Sequence, residues 1–188
     1  MARRFLAVLA CLSWTALPAN AAPAQFKGMI VLSKELSARI APPEAPIDLD
    51  RFMPADGLDD LTGSWSAFGT EHRFENGQPN AVNMVLLRLA FSRFAANLAA
   101  SCVLPQLVLN EAFFDILDAL CSWPSAEAMS EDIMMDYWLA MMGYNAPKAE
   151  YTVWRDFIRQ TYGGKDARAT IEAMTLAIML NPYFLLQH

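Results

Sequence analysis

The sequence predicts a mainly α-helical protein, an irregular bundle of about five helices preceded by a Pro-rich linker and a loop-rich segment. Three observations point there. From Ala81 onward the apolar residues recur at helical spacing. Asn, Ser, Pro and Gly stand where such helices start and stop. Hydrophobic residues make up 55% of the 188, ample for one packed core.

The N-terminus carries an address. Arg3 and Arg4 precede an apolar run from Phe5 to Leu17, followed by Pro18-Ala19-Asn20-Ala21. A positive stretch, an apolar run too short to span a bilayer and an A-x-A site form a secretory signal over residues 1–21. Cleavage is expected after Ala21; an uncleaved anchor or a buried core helix is the alternative. A lipoprotein site at Val8-Leu9-Ala10-Cys11 would leave too little hydrophobic chain before the cysteine. No later stretch offers a clean apolar span, since the nearest, Ala81 to Ala100, contains Arg88 and Arg93. A cleaved signal without a membrane span implies a soluble periplasmic or secreted protein.

Residues 22–46 read as a leader and Pro-rich linker, and residues 47–188 as one helical domain with a loop-rich N-terminal part. Ile30, Leu32, Leu36 and Ile40 suit a short helix within Lys27 to Ile40. Ala41-Pro42-Pro43-Glu44-Ala45-Pro46 is expected to be stiff and extended, because each proline removes a donor and restricts the residue before it. Ile47 to Pro79 reads as loops, with one short helix near Leu58 to Leu61.

Asn80 is placed to cap a run from Ala81 to about Ser101, whose polar positions form so narrow a stripe that the helix is expected to be central. Pro105 interrupts the chain, and Asn110 caps a helix through Phe113, Ile116, Leu117 and Leu120. Ser130 precedes Glu131 and Asp132, placing negative charge at a helix start, where the dipole favours it. That helix carries Ile133, Met134, Tyr137, Trp138 and Met141 and stops at Gly143, a left-handed terminator. Pro147 opens a helix with Tyr151, Trp154, Phe157 and Ile158 inward, ended by Gly163-Gly164. The last helix runs from about Asp166 to Leu180 and meets Asn181-Pro182.

Signal cleavage would remove two arginines and no acid, taking the net charge from −6 to −8. Such a chain repels nucleic acid and anionic lipid. Cys11 would leave with the signal, and Cys102 and Cys121 would remain. Two cysteines in an oxidising compartment are expected to pair; two buried thiols or an intermolecular bridge are the alternatives. A disulfide needs α-carbons within about 7 Å. A straight helix returning from Asn110 in a tight hairpin would carry Cys121 about 16 Å past its start. The seven residues Val103 to Leu109 span up to roughly 23 Å when extended. Pairing therefore predicts that Leu104-Pro105-Gln106-Leu107 is extended rather than helical.

Sites of chemistry are sparse. Glu71-His72-Arg73 lies in an irregular stretch rich in Trp, Gly and Asn, and Trp65, His72, Arg73 and Asn76 make a candidate binding loop. His72 with Glu71 or Glu75 is a candidate acid–base pair; the alternative is a surface loop that caps the following helix. No Ser or Cys occupies a nucleophile motif, and no CxxC or CxxCH occurs, so neither thioredoxin-type chemistry nor covalent haem is supported. The His and Cys clusters of zinc or copper sites are missing, and no cofactor or metal is expected. Asp48, Asp50, Asp56, Asp59 and Asp60 suit calcium by type, yet their spacing misses the EF-hand loop. Met129, Met134, Met135, Met141 and Met142 fit core packing, with a pliable partner surface as the alternative.

The tail from Ala173 to Leu185, ending Asn181-Pro182-Tyr183-Phe184-Leu185, resembles a segment of large exported proteins of planctomycetes and myxobacteria that accompany c-type cytochrome domains. There a Leu- and Ala-rich helix ends in Ser-Pro-x-Phe-Leu, and here Asn181 replaces the serine. The resemblance covers thirteen residues. It implies a helical accessory domain near an exported electron-transfer system and carries over no catalytic residue. The residues themselves favour an exported helical domain that binds a protein partner at the cell envelope. A small hydrolase or lyase using His72 and an accessory subunit of a periplasmic redox system are the rivals.

Overall fold

The computed structural model describes residues 25–53, 81–144 and 147–187. The fold is mainly helical. A two-residue strand, β1 (Gln25–Phe26), leads into α1 (Met29–Ile40) and a single 3-10 turn (Leu49–Phe52). Then follow α2 (Ala81–Ala100), α3 (Glu111–Cys121), α4 (Glu131–Met142), α5 (Lys148–Tyr162) and α6 (Ala167–Met179). A one-turn helix, α7 (Pro182–Leu185), and β2 (Leu186–Gln187) close the chain. β1 and β2 pair antiparallel, Gln25 opposite Gln187 and Phe26 opposite Leu186, so the two ends of the described fold are clasped together.

Caps written in the sequence set the boundaries. The side chains of Asn110, Ser130, Asp166 and Asn181 each accept a backbone N–H at the start of α3, α4, α6 and α7. Each satisfies one of the donors that a helix start leaves orphaned. Gly143 ends α4 at φ 75°, the left-handed conformation that residues with a Cβ disfavour. Gly163 follows α5 differently. It is right-handed at φ −48°, and the chain turns through a Lys165 N–H bond to the Tyr162 carbonyl.

The longest helix, α2, makes its most extensive contact with α6. It buries Phe91, Phe94 and Leu98 but leaves Val85 and Leu89 exposed, so one face is covered rather than nearly all of it. Phe94 meets Phe52 edge-on at 5.4 Å, and Phe91 meets Phe184 of α7 at 6.2 Å. The methionines Met129, Met134, Met141 and Met142 are buried, and Met135 packs partly against them. They are core. Phe157 departs from its expected place and is 48% exposed. Tyr151, Trp154 and Ile158 form the buried stripe of α5. Phe157 stands about 100° of helix rotation from Ile158, on the outer side with Val153.

Two expectations for residues 22–46 are corrected. The prolines do not extend the chain; an Ala45 N–H to Pro42 carbonyl bond of 3.1 Å closes a turn. Ser37 Oγ then receives the Ile47 N–H and Ser33 Oγ the Leu49 N–H, folding the segment back onto α1. Nor is this stretch only leader and linker. Met29, Leu32, Leu36 and Ile40 of α1 belong to the common core, and Ile47 and Leu49 join them.

The buried hydroxyls of Tyr137 and Thr175 are matched, whereas the indole N–H groups of Trp138 and Trp154 and the Tyr144 hydroxyl have no partner among the described residues. Thr175 donates to the Ile171 carbonyl, so the Tyr137 hydroxyl is the donor in its bond to Thr175. Burial, together with a smaller effect of Glu150, pushes the Tyr144 phenol up to about 12. Burial and then Glu131 do the same for Tyr151, also to about 12, and burial raises Tyr137. Free phenols ionise near about 10. Above that pH the unfolded chain loses protons that the folded chain keeps, so stability is full below about pH 10 and falls as pH rises through about 12. Urea denaturation between about pH 8 and pH 11.5 is expected to show that fall, shallower in Tyr137→Phe.

Candidate binding surface on the disulfide-closed loop

Cys102 lies two residues past the end of α2, and Cys121 is the last residue of α3. Their α-carbons are 5.4 Å apart and the sulfurs are bonded. The bridge joins the C-terminal ends of the two helices, which is possible because the intervening chain leaves α2 and comes back along α3. Leu104 to Asn110 is not helical, as the pairing required, but it is not an extended run either: the chain bends at Leu104 and again at Leu107, and the Leu104 N–H still donates to the Ala100 carbonyl. Pro105 supplies the local cause, having no N–H and disfavouring helical geometry at Leu104.

Both ends of this connector are pinned. At the first, the Gln106 N–H donates to Ser101 Oγ at 3.2 Å. At the second, Asn110 makes three bonds besides the one its carbonyl accepts from the Phe114 N–H. Its side-chain oxygen caps α3 through the Phe113 N–H at 2.9 Å, and its amide group donates to the Arg39 carbonyl at 2.9 Å. Its backbone N–H donates to the Ile40 carbonyl at 3.0 Å, so one residue starts α3 and satisfies the end of α1. Asn110→Ala is expected to cost about 2 kcal/mol, a lost cap plus a lost buried bond. The shift in urea midpoint against wild type measures it.

Between the pins, the amides of Leu107, Val108 and Leu109 donate to no acceptor among the described residues. Their side chains alternate. Gln106 and Val108 face out, while Leu107 and Leu109 pack partly against the core. Four large apolar residues of the loop are exposed: Val103 at 67%, Leu104 at 65%, Val108 at 61% and Phe114 at 48%. Glu111, Asp115 and Asp118 follow on the outer face of α3, spaced i, i+4 and i+7, and all three are exposed. None of them has a basic partner among the described residues.

A cleft of about 490 Å³ opens beside α3, lined by Arg39, Asn110, Glu111, Asp115, Ile116 and Ala140 among others. Arg39 is its cation, and that charge is already committed. One guanidinium nitrogen donates to the Met141 carbonyl at 3.0 Å and another to Glu35 at 3.1 Å. Gly143 is held close against it; a Cβ there would come within 2.6 Å of Arg39 Nε. The cleft is therefore acidic on its open side. A second hollow, about 310 Å³ between α1 and the 46–50 segment, contains Ser33 and Ser37, whose hydroxyls are used in holding that segment.

Of the residues singled out from sequence, Trp65, Glu71, His72, Arg73, Glu75 and Asn76 lie outside the described residues, as do the signal segment and Asp56, Asp59 and Asp60. Asp48 is described and caps the 3-10 turn through the Asp50 N–H. In the tail, Asn181 caps α7 and also donates to Glu150 at 2.7 Å, while Phe184 and Leu185 are buried. The Asn-Pro-x-Phe-Leu run thus serves as a helix cap followed by core anchors. Sequence reasoning passed over the connector as a surface. No local signal could have found it, because Leu107, Val108 and Leu109 are all apolar and which of them faces out depends on how the loop is held. No family model matches the chain, and neither a curated protein nor a solved structure does.

Proposed function

We propose that this chain is an exported helical domain that works by binding a protein partner at the cell envelope. The observation that carries the reading is the disulfide-closed loop, which holds Val103, Leu104, Val108 and Phe114 exposed on a pinned backbone. Large apolar side chains held in water favour any partner that covers them, at roughly 25 cal/mol per Å² of apolar area buried. A backbone already fixed at both ends loses little freedom on binding. The disulfide fits an oxidising compartment, and no helix among the described residues is long and apolar enough to cross a membrane.

The reading is tested by purifying the tagged protein from its native envelope after mild crosslinking, beside a Leu104→Asp/Val108→Asp variant. The expected result is one protein recovered in fixed proportion with wild type. It should be lost from the variant, whose circular dichroism stays native. Absence of any partner in fixed proportion to wild type would contradict the proposal.

A further inference from the structure

We propose that the outer face of α3, with the apolar residues that the disulfide ties to it, receives a basic amphipathic helix of the partner. This rests on the partner-binding reading and names the surface and the chemistry of its occupant. At about 100° of rotation per residue, Phe114 and Cys121 fall along one edge of α3. Phe114 is half exposed, and Cys121 is bonded to Cys102, which the exposed Val103 and Leu104 follow directly in the chain. Glu111, Asp115 and Asp118 fall beside that edge, further round the same exposed face, in a row about 10 Å long. An apolar stripe and an acidic stripe thus run side by side along one helix. A helix bearing an apolar and a basic stripe matches both at once, whereas an extended strand sends successive side chains to opposite faces and matches only one.

Charge chooses the occupant. The three carboxylates have no basic partner among the described residues, and the whole chain carries −6. Arg39, the cation of the neighbouring cleft, is bonded to the Met141 carbonyl and to Glu35 and leaves the row unneutralised. A second copy docking through the same face would set two acidic rows against each other, which costs free energy, whereas the lysines or arginines of a basic helix would neutralise one. Phe114, Val103 and Leu104 would take its apolar stripe.

The experiment uses the disulfide-bonded protein and three fluorescein-labelled peptides of equal length. One places Leu and Lys to form an amphipathic helix, one has Glu in place of Lys, and one scrambles the Leu–Lys order so that both stripes are lost. Anisotropy reads affinity, and NMR reads the amide signals of residues 111–118. Two charge variants are compared: Glu111→Gln/Asp115→Asn/Asp118→Asn, and Glu44→Gln/Glu127→Gln/Glu172→Gln, which removes the same charge from exposed sites off α3. The amphipathic Leu–Lys peptide is expected to bind, to move the signals of residues 111–118, and to weaken as salt rises. The α3 charge variant and Leu104→Ser/Phe114→Ser, both with native circular dichroism, should each weaken it by about tenfold or more, and the control charge variant by less than about threefold. The Glu peptide should not bind, and the scrambled one should bind far more weakly. Failure of the Leu–Lys peptide to bind, equal binding of the scrambled peptide, or equal losses in the two charge variants overturns the inference. Signals of residues 111–118 that move with protein concentration alone overturn it too and assign the face to a second copy. If the envelope partner is still captured by the α3 charge variant and by Leu104→Ser/Phe114→Ser, this surface is wrong while the partner-binding function stands.

Discussion

Trp138→Ala is expected to remove about 3–5 kcal/mol of stability, the range for truncating a buried aromatic. Trp138 is fully buried in the middle of α4 and meets Trp154 of α5 at 5.1 Å and Tyr151 at 6.4 Å, both edge-on. Deleting the indole takes away its apolar burial and both aromatic contacts and leaves a void that its rigid neighbours cannot close. A domain of this size holds about 5–15 kcal/mol in all, so the variant sits near its unfolding threshold at ambient temperature. The urea midpoint measures the loss. Val153→Ala, on the same α5 but 71% exposed, is the control and should change stability by less than about 0.5 kcal/mol. Equal effects of the two substitutions would mean that the α4–α5 contact is not the core described here.

Removing the Cys102–Cys121 bond has the second largest expected effect. The cysteines are 19 residues apart. Closing a loop of that size restricts the unfolded chain by about 3 kcal/mol on the chain-entropy model. The double variant Cys102→Ala/Cys121→Ala should therefore melt about 6–12 °C below wild type. Reducing wild type with a thiol should reproduce most of that drop, since the loss acts on the unfolded state in both cases. Non-reducing peptide mapping is expected to recover the two cysteines in one linked fragment. Two free thiols in exported protein, with a melting point indifferent to reductant, would contradict the assignment.

Much of the fold was legible because helix ends are chemically marked. Asn110, Ser130 and Asp166 are short polar side chains that satisfy a helix start, and Gly143 tolerates the left-handed stop; Asn181-Pro182 reads locally as a stop, yet Asn181 also starts the one-turn α7. The cysteine pairing could be reasoned from chain length and helix rise alone, and it carried the non-helical connector with it. What failed was tertiary. The Pro42–Pro46 segment reads as extended by local rules, but the hydroxyls of Ser33 and Ser37 bend it back, and no local pattern announces that. Phe157 belongs to the apolar set of α5, yet which edge of that set is covered depends on where α6 lies. The binding surface was the least legible part. Exposure of Val103, Leu104 and Val108 results from how the disulfide and Asn110 hold the loop, and composition cannot distinguish such residues from core.

The central claim, that the disulfide-closed loop is where a partner sits, is tested most directly by a photocrosslinking amino acid placed singly at position 108 or at position 168. Position 108 lies on the loop, and position 168 is an exposed site on α6. Irradiation in living cells is followed by analysis of the adducts. The account predicts one discrete protein adduct from position 108, none from position 168, and loss of the first when Cys102 and Cys121 are replaced. The same adducts from both positions, or none from position 108, would contradict it.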